Sequence, residues 1–333
     1  MDDNKRESLA DWAGIRPLDA EDLGGHQRSY IQSLSREPIQ HSSYKAVLKR
    51  VAGLHLRSLE GHLGGGILVT GQSGSGKSFF QESYSKAFLV PEDPTRQLVP
   101  VLLAEVPPRP TVASVVAELL GKLGVPPAPK GTTEDKETKR LLHFTKKLGT
   151  EIVFLDEINN FHDHAGPKVL SEFTDWLKAF HDKSRLPLVL FGLPRSRSII
   201  LKNMQLRRRF VGHVSLSPLK KAPKGSWFEF RSVLRELHSR TPIPAVKYWD
   251  QLLARRFYFA SAGLMDYLIK IVEGAIEIGH AKRSTVSEDT LARAFSTKVW
   301  IGCPDDMNPF TTEKRNLRLL TRHGEPFDDW DNT

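Results

Sequence analysis

Apolar positions along the chain follow two different periods, and the point where one gives way to the other divides it. Short continuous apolar runs fall at Ile67 to Thr70, Val99 to Val106, Ile152 to Leu155, Leu188 to Phe191 and Val211 to Leu216. Runs of strand length without polar alternation predict strands buried on both faces. Between them, Thr111 to Leu123, Glu134 to Leu148 and Lys168 to His181 carry apolar residues at helical spacing. Tyr44 to Leu59, with Val47, Leu48, Val51 and Leu54 on one face, predicts a helix ahead of the first strand. Gly64-Gly65-Gly66 ends it, and Lys77 to Phe88 reads as the helix that follows the first strand. Strands alternating with helices imply a mainly parallel sheet covered on both sides.

After Pro223 the strand signals stop, and Trp227 to His238, Tyr248 to Phe259, Leu264 to Ile278 and Glu288 to Phe295 read as helices. Trp227, Phe228 and Phe230 are assigned to the core of this helical part because they share an amphipathic helix. The expected organisation is an extension over 1–40, an α/β domain over 41–222, a smaller all-helical domain over 223–299 and a tail over 300–333. The tail, with Pro304, Pro309 and Asp328-Asp329-Trp330-Asp331, is expected to be weakly folded.

Composition narrows the setting. Hydrophobic residues make up 39% and charged residues 26% of the 333, and no stretch approaches the roughly eighteen uninterrupted apolar residues of a bilayer span. The start, Met1-Asp2-Asp3-Asn4-Lys5-Arg6-Glu7, lacks a basic segment followed by an apolar one, and the single cysteine, Cys303, has no internal partner. A cytosolic protein is expected. The net charge of +9 is concentrated, since Lys183 to Phe228 holds eleven Lys or Arg and no Asp or Glu. This stretch is either a solvated face with some nucleotide-site cations or a surface for a polyanion, and charge alone does not separate the two.

The chemistry begins after the first strand. Gly71-Gln72-Ser73-Gly74-Ser75-Gly76-Lys77-Ser78 matches the phosphate-loop pattern at a strand-to-helix junction. Its glycines let successive N–H groups approach phosphates where a helix begins. Lys77 is positioned to neutralise the β- and γ-phosphates, and Ser78 to supply an oxygen to Mg²⁺. Asp156 and Glu157 follow the apolar run Ile152 to Leu155, at the strand end where an open α/β sheet keeps its ligand. An acidic pair there can merely cap the next helix. With a phosphate loop upstream, Asp156 is read as holding Mg²⁺ through water and Glu157 as polarising the attacking water. No Asn-Lys-x-Asp or Thr-Lys-x-Asp stretch offers guanine a reader, so ATP is the expected nucleotide. Arg207-Arg208-Arg209-Phe210 precedes the last strand. It is either a basic helix end or a source of an arginine finger for a neighbouring subunit, with Arg209 the first choice and Arg208 the second. His162-Asp163-His164 is too small a donor set to be read as a metal site.

The phosphate loop, the Asp156-Glu157 pair, the Arg-Arg-Phe before the final strand and the helical C-terminal part together resemble an AAA+ ATPase. Within that class the chain resembles the TniB, TnsC and MuB group of transposition regulators, over about residues 36 to 297. The residues that carry this are Arg36-Glu37-Pro38-Ile39-Gln40-His41, Pro107-Pro108-Arg109-Pro110-Thr111 through Leu119-Leu120 to Leu123-Gly124-Val125-Pro126, and Phe191-Gly192-Leu193-Pro194. The resemblance implies an AAA+ P-loop domain whose parallel sheet is flanked by helices, followed by a smaller all-helical lid. It implies Ile39 as a nucleotide contact, and ATP-bound subunits that assemble into rings or a helical filament on duplex DNA. Such assemblies recruit a transposase, work with a target-selection adaptor of the TniQ type, and come apart on hydrolysis. In such relatives the DNA is gripped after the second strand, which maps onto Arg109 and Lys130. The alternative is an AAA+ adaptor or helicase-loader-type scaffold that acts on proteins without gripping DNA.

Two departures from the AAA+ pattern stand out. The strand Leu188 to Phe191 ends in Gly192-Leu193 where a polar γ-phosphate sensor is usual, leaving Ser196 as one substitute, and Gly263-Leu264-Met265-Asp266 offers no lid arginine. Slow intrinsic hydrolysis, accelerated by a partner, is the expected consequence.

Overall fold

The computed structural model describes residues 37–88, 98–129, 131–281 and 284–328, with Val211 as backbone only. Lys130 lies outside the described residues. Described residues 42–72 and 77–216 form one compact unit, and 37–41, 73–76 and 217–328 form a second.

The first unit is built on five strands, β1 (Gly66–Thr70), β2 (Val101–Glu105), β3 (Ile152–Asp156), β4 (Leu188–Gly192) and β5 (Phe210–Ser215). They lie in the order β2-β3-β4-β1-β5, and every pair is parallel. Successive side chains leave a strand on opposite faces. Ile67, Val69, Ile152, Phe154, Val189 and Phe191 enter one core with helix α1 (Ser42–Leu59). Leu68, Val153, Leu155, Leu188 and Leu190 enter another. Because both faces are covered, the strands read as continuous apolar runs. The second core is closed by α3 (Val112–Lys122), α4 (Glu134–Lys147) and α6 (Pro167–Ser184) through Val115, Leu119, Leu141, Phe173 and Leu177. Thr111 is the N-cap of α3, in a reciprocal capping box with Ser114, rather than its first helical residue. Helix α2 (Lys77–Ala87) follows β1 and α5 (Asn159–His164) follows β3. Two short helices, α7 (Arg197–Lys202) and α8 (Met204–Arg209), lead into β5.

In the second unit, α9 (Lys224–Ser239), α10 (Gln251–Ser261), α11 (Met265–Ala281) and α12 (Glu288–Lys298) bury Phe230, Leu234, Leu237, Phe257, Leu268, Val272, Leu291 and Phe295. Phe230 is fully buried and Trp227 stacks on it, but Phe228 is 71% exposed. The expectation that all three are core is therefore corrected. Two residues advance a helix by about 200°, which carries Phe228 to the face opposite Phe230, whereas Trp227, three residues away, stays beside it.

Residues 300–328 also differ from the weakly folded tail the sequence suggests. Phe310, Leu320 and Phe327 are buried in the helical core. Asn308 donates to Ala292 O (2.8 Å), Arg256 donates to Thr312 O (3.0 Å), and Arg318 pairs with the buried Glu325. A few apolar anchors and satisfied backbone carbonyls hold an irregular segment that no periodicity reveals. Asp329, Trp330 and Asp331 lie outside the described residues. No helix among the described residues is long and apolar enough to cross a membrane.

Candidate functional site

The loop between β1 and α2 takes its shape from two glycines in the left-handed region, Gly74 (φ 74°) and Gly76 (φ 97°), where a Cβ is strained. At its start the Gly71 N–H donates to Gly192 O, 3.0 Å away at the end of β4. Lys77 is buried, not an exposed loop cation, and its Nζ donates to Gly71 O (2.8 Å) and Gln72 O (3.1 Å). Burial depresses the Lys77 pKa, against the opposing pull of the Asp156 and Glu157 carboxylates. A largely desolvated ammonium beside flexible glycines suits a polyanion such as a triphosphate. Ser75 adds a buried hydroxyl with no hydrogen-bond partner among the described residues, while Ser78, in the first turn of α2, is exposed. Ser73 is exposed, and Gln72 is half-buried.

Asp156 closes β3 and Glu157 follows it. Burial raises the Asp156 pKa, against hydrogen bonds from the Glu157 N–H (2.8 Å) and from Gln81. Gln81 lies one turn after Lys77 on α2, so both side chains leave the same helical face. Glu157 has φ 53°, a left-handed conformation for a residue with a Cβ. Such a conformation costs about 1–3 kcal/mol and persists only where neighbours over-determine it. Here its N–H is taken by Asp156, its C=O accepts from the Asn160 N–H (2.9 Å), and its Oε2 accepts from Asn159 Nδ2 (3.0 Å). Asn160 is anchored in turn, donating from Nδ2 to Val106 O (2.8 Å).

Beyond β4, Leu193 leads into a turn of 3-10 helix, Pro194–Ser196. Arg195 makes a two-pronged pair with Asp163 (2.8 and 2.6 Å), which holds the Asp163 carboxyl down at about 2. Arg195 is also close enough to Glu157 to feel its charge. Ser196, the candidate phosphate sensor, is fully buried, with its hydroxyl beneath Gly192 rather than at the surface.

The remaining sequence-predicted residues are dispersed. Arg209 forks onto Asp182 of α6 (2.9 and 2.7 Å), whereas the Arg208 side chain is exposed and makes no ion pair or hydrogen bond among the described residues. Arg109 is exposed just ahead of α3. Ile39 belongs to the core of the helical unit. In the same unit, the Asp266 N–H donates to Gly74 O (3.1 Å), and the Asp266 carboxylate holds Lys270. Sequence reasoning missed Gln81, Asn159, Arg195 and Asp182. Only Gln81 carried a signal, its helical spacing from Lys77.

Five parallel strands in this order, a glycine-shaped phosphate loop after β1 and an acidic pair at the end of β3 define an ATPase of the AAA+ P-loop class. Solved structures agree on the fold. Cdc6p from Pyrobaculum aerophilum aligns at 14% identity over 84% of this chain and 72% of its own, with a TM-score of 0.52. The Aeropyrum pernix ORC1 protein in complex with DNA aligns at 15% identity over 80% and 68%, with a TM-score of 0.60. The bacterial TniB protein family matches residues 31–219, more than half of the sequence, and the chain belongs to that family. No curated protein matches the sequence.

Proposed function

We propose that this chain is an ATP-driven transposition regulator that assembles on duplex DNA, recruits and activates a transposase, and disassembles when it hydrolyses ATP. The observation that carries the reading is the placement of buried Lys77, just after β1, close enough to feel the charges of buried Asp156 and half-buried Glu157 at the end of β3, in a chain of the TniB family. Gly71 to Ser78 wrap the phosphates, and Lys77 exchanges its loop carbonyls for phosphate oxygens. Ser78 and Asp156 would hold Mg²⁺, which neutralises phosphate charge. Glu157 polarises the attacking water. Ile39 is the proposed contact for the nucleotide from the segment before α1.

Arg109 and the basic stretch from Lys183 to Phe228, apart from the finger candidates Arg208 and Arg209, are the proposed DNA-facing cations, with Lys130 the second contact suggested by family resemblance. Support comes from the AAA+ protein of the same fold solved in complex with DNA. Few contacts per subunit bind weakly, so assembly and DNA binding should reinforce each other through avidity, without sequence readout. A TniQ-type adaptor and a transposase are the proposed protein partners, in the cytosol.

The test is assembly monitored by light scattering and electron microscopy with a non-hydrolysable ATP analogue, Mg²⁺ and duplex DNA. Rings or filaments that need both nucleotide and DNA are expected, weakening as salt rises. Nucleotide-dependent assembly indifferent to DNA would instead identify a scaffold that acts on proteins alone. A separate expectation concerns Lys77→Ala. Losing charged hydrogen bonds worth about 1.5–3 kcal/mol should weaken ATP binding by roughly 10- to 100-fold. Titration with a fluorescent ATP analogue measures it, and wild-type affinity would overturn the assignment of the phosphate loop.

A further inference from the structure

Glu157 is linked to the phosphate loop through a single peptide plane. The Gly192–Leu193 peptide accepts from the Gly71 N–H on its carbonyl side (3.0 Å), and its Leu193 N–H donates to Asn159 Oδ1 (3.2 Å). Asn159 Nδ2 then donates to Glu157 Oε2 (3.0 Å). The direction of this relay is fixed by chemistry. A backbone N–H can only donate, so the Asn159 oxygen must face Leu193, and its NH₂ group is left to face Glu157. The amide therefore presents a donor to the carboxylate and fixes one of its two oxygens. The other remains available to a water molecule.

The surroundings preserve the arrangement. Asn159 is only 4% exposed, so water does not compete freely for its amide. Gly192 makes the close approach possible, since a Cβ there would lie 2.6 Å from Ser196 Oγ, 2.7 Å from Ile158 Cγ2 and 3.1 Å from Asn159 Oδ1. The left-handed Glu157 backbone is pinned at both its N–H and its C=O, so the remaining freedom is in the side chain. Asn159 removes much of it.

We propose that Asn159 is a positioning residue for ATP hydrolysis: it aims the Glu157 carboxylate and, through the Gly192–Leu193 peptide, ties that aim to the position of the phosphate loop. A shift of Gly71 on nucleotide binding is transmitted to the base by three hydrogen bonds, with no side chain needed at the β4 end. This accounts for a site that lacks a polar residue where β4 ends. The inference rests on the reading of Glu157 as the base.

The test compares Asn159→Ala and Asn159→Asp with wild type and Glu157→Gln, by steady-state ATPase assay and thermal melting. Asn159→Ala should lower kcat by about 10- to 100-fold while the KM for ATP stays within about threefold, because an aiming contact acts on the chemical step and not on nucleotide binding. Asn159→Asp is the decisive variant. It keeps volume and the acceptor for Leu193 but turns a carboxylate oxygen toward Glu157, so kcat should fall at least as far as in Asn159→Ala.

A merely structural asparagine predicts the reverse order, with Asp tolerated better than Ala, and that order would overturn the proposal. Wild-type kcat in both variants, with Glu157→Gln inactive, would overturn it while leaving the base in place. Normal turnover by Glu157→Gln would overturn the base and the relay together. If the Ala variant fails to fold, the isosteric Asp variant still decides.

Discussion

Glu157→Gln should bind ATP with near wild-type affinity and turn it over about 10² to 10⁴ times more slowly, the range that a positioned general base contributes. The substitution is nearly isosteric and leaves Lys77 and Asp156 in place. The Glu157 backbone is held by the Asp156 carboxylate and the Asn160 N–H, neither of which depends on the side chain. Glutamine can offer its carbonyl oxygen to Asn159, so the φ 53° conformation should survive. What is lost is a charged acceptor for the proton of the attacking water. Assemblies formed with ATP should consequently persist, since the step proposed to release them is blocked. Single-turnover hydrolysis and the lifetime of DNA-bound particles measure the two effects. Undiminished turnover would move the base elsewhere.

Much of this site was legible in the sequence because its parts are local. The phosphate loop is one octapeptide, and Asp156-Glu157 directly follows an apolar run whose length and β-rich composition mark a buried strand. Both strand faces are covered, so hydrophobicity alone located all five strands, though not their ends. The relay from Gly71 to Glu157 was not legible. It exists because β4 lies between β3 and β1, which brings the Gly192–Leu193 peptide within reach of residues far away in sequence. The same holds for Asp182 and Arg209, joined across α6 and α8. Ser196 was suggested as a sensor by position alone, and nothing in the sequence signals that a tight turn after Gly192 folds its hydroxyl inward. In the segment 300–328, Phe310, Leu320 and Phe327 anchor a coil at spacings that match no regular period, and prolines with acidic residues concealed a packed structure.

The arginine cluster provides the second large effect. Arg209→Ala should leave the nucleotide affinity of an isolated subunit nearly unchanged while abolishing hydrolysis, since a group acting in trans stabilises charge on a neighbour's phosphoryl and can contribute about 10³ to 10⁵ in rate. In this chain Arg209 is held by Asp182, and that hydrogen-bonded pairing draws the Asp182 carboxyl below its ordinary range. The pair is solvent-accessible. Such pairs contribute about 0–1 kcal/mol, so releasing Arg209 to a neighbour is inexpensive beside the rate it can supply. Arg208, exposed and without an ion pair among the described residues, needs no release at all. Comparing the two alanine variants therefore assigns the finger. If Arg208→Ala is inactive and Arg209→Ala is normal, Arg208 reaches the neighbour and Arg209 serves only to clasp α8 to α6. The stronger experiment mixes inactive Arg209→Ala with Lys77→Ala. In a random one-to-one assembly with head-to-tail contacts, roughly a quarter of the interfaces should pair the intact phosphate loop of the first with the intact arginine of the second. Partial recovery of ATPase activity would establish an active site shared between subunits. A mixture that co-assembles and stays inactive would return the arginines to a DNA-facing or solvated role, and the catalytic site would have to be complete within one subunit.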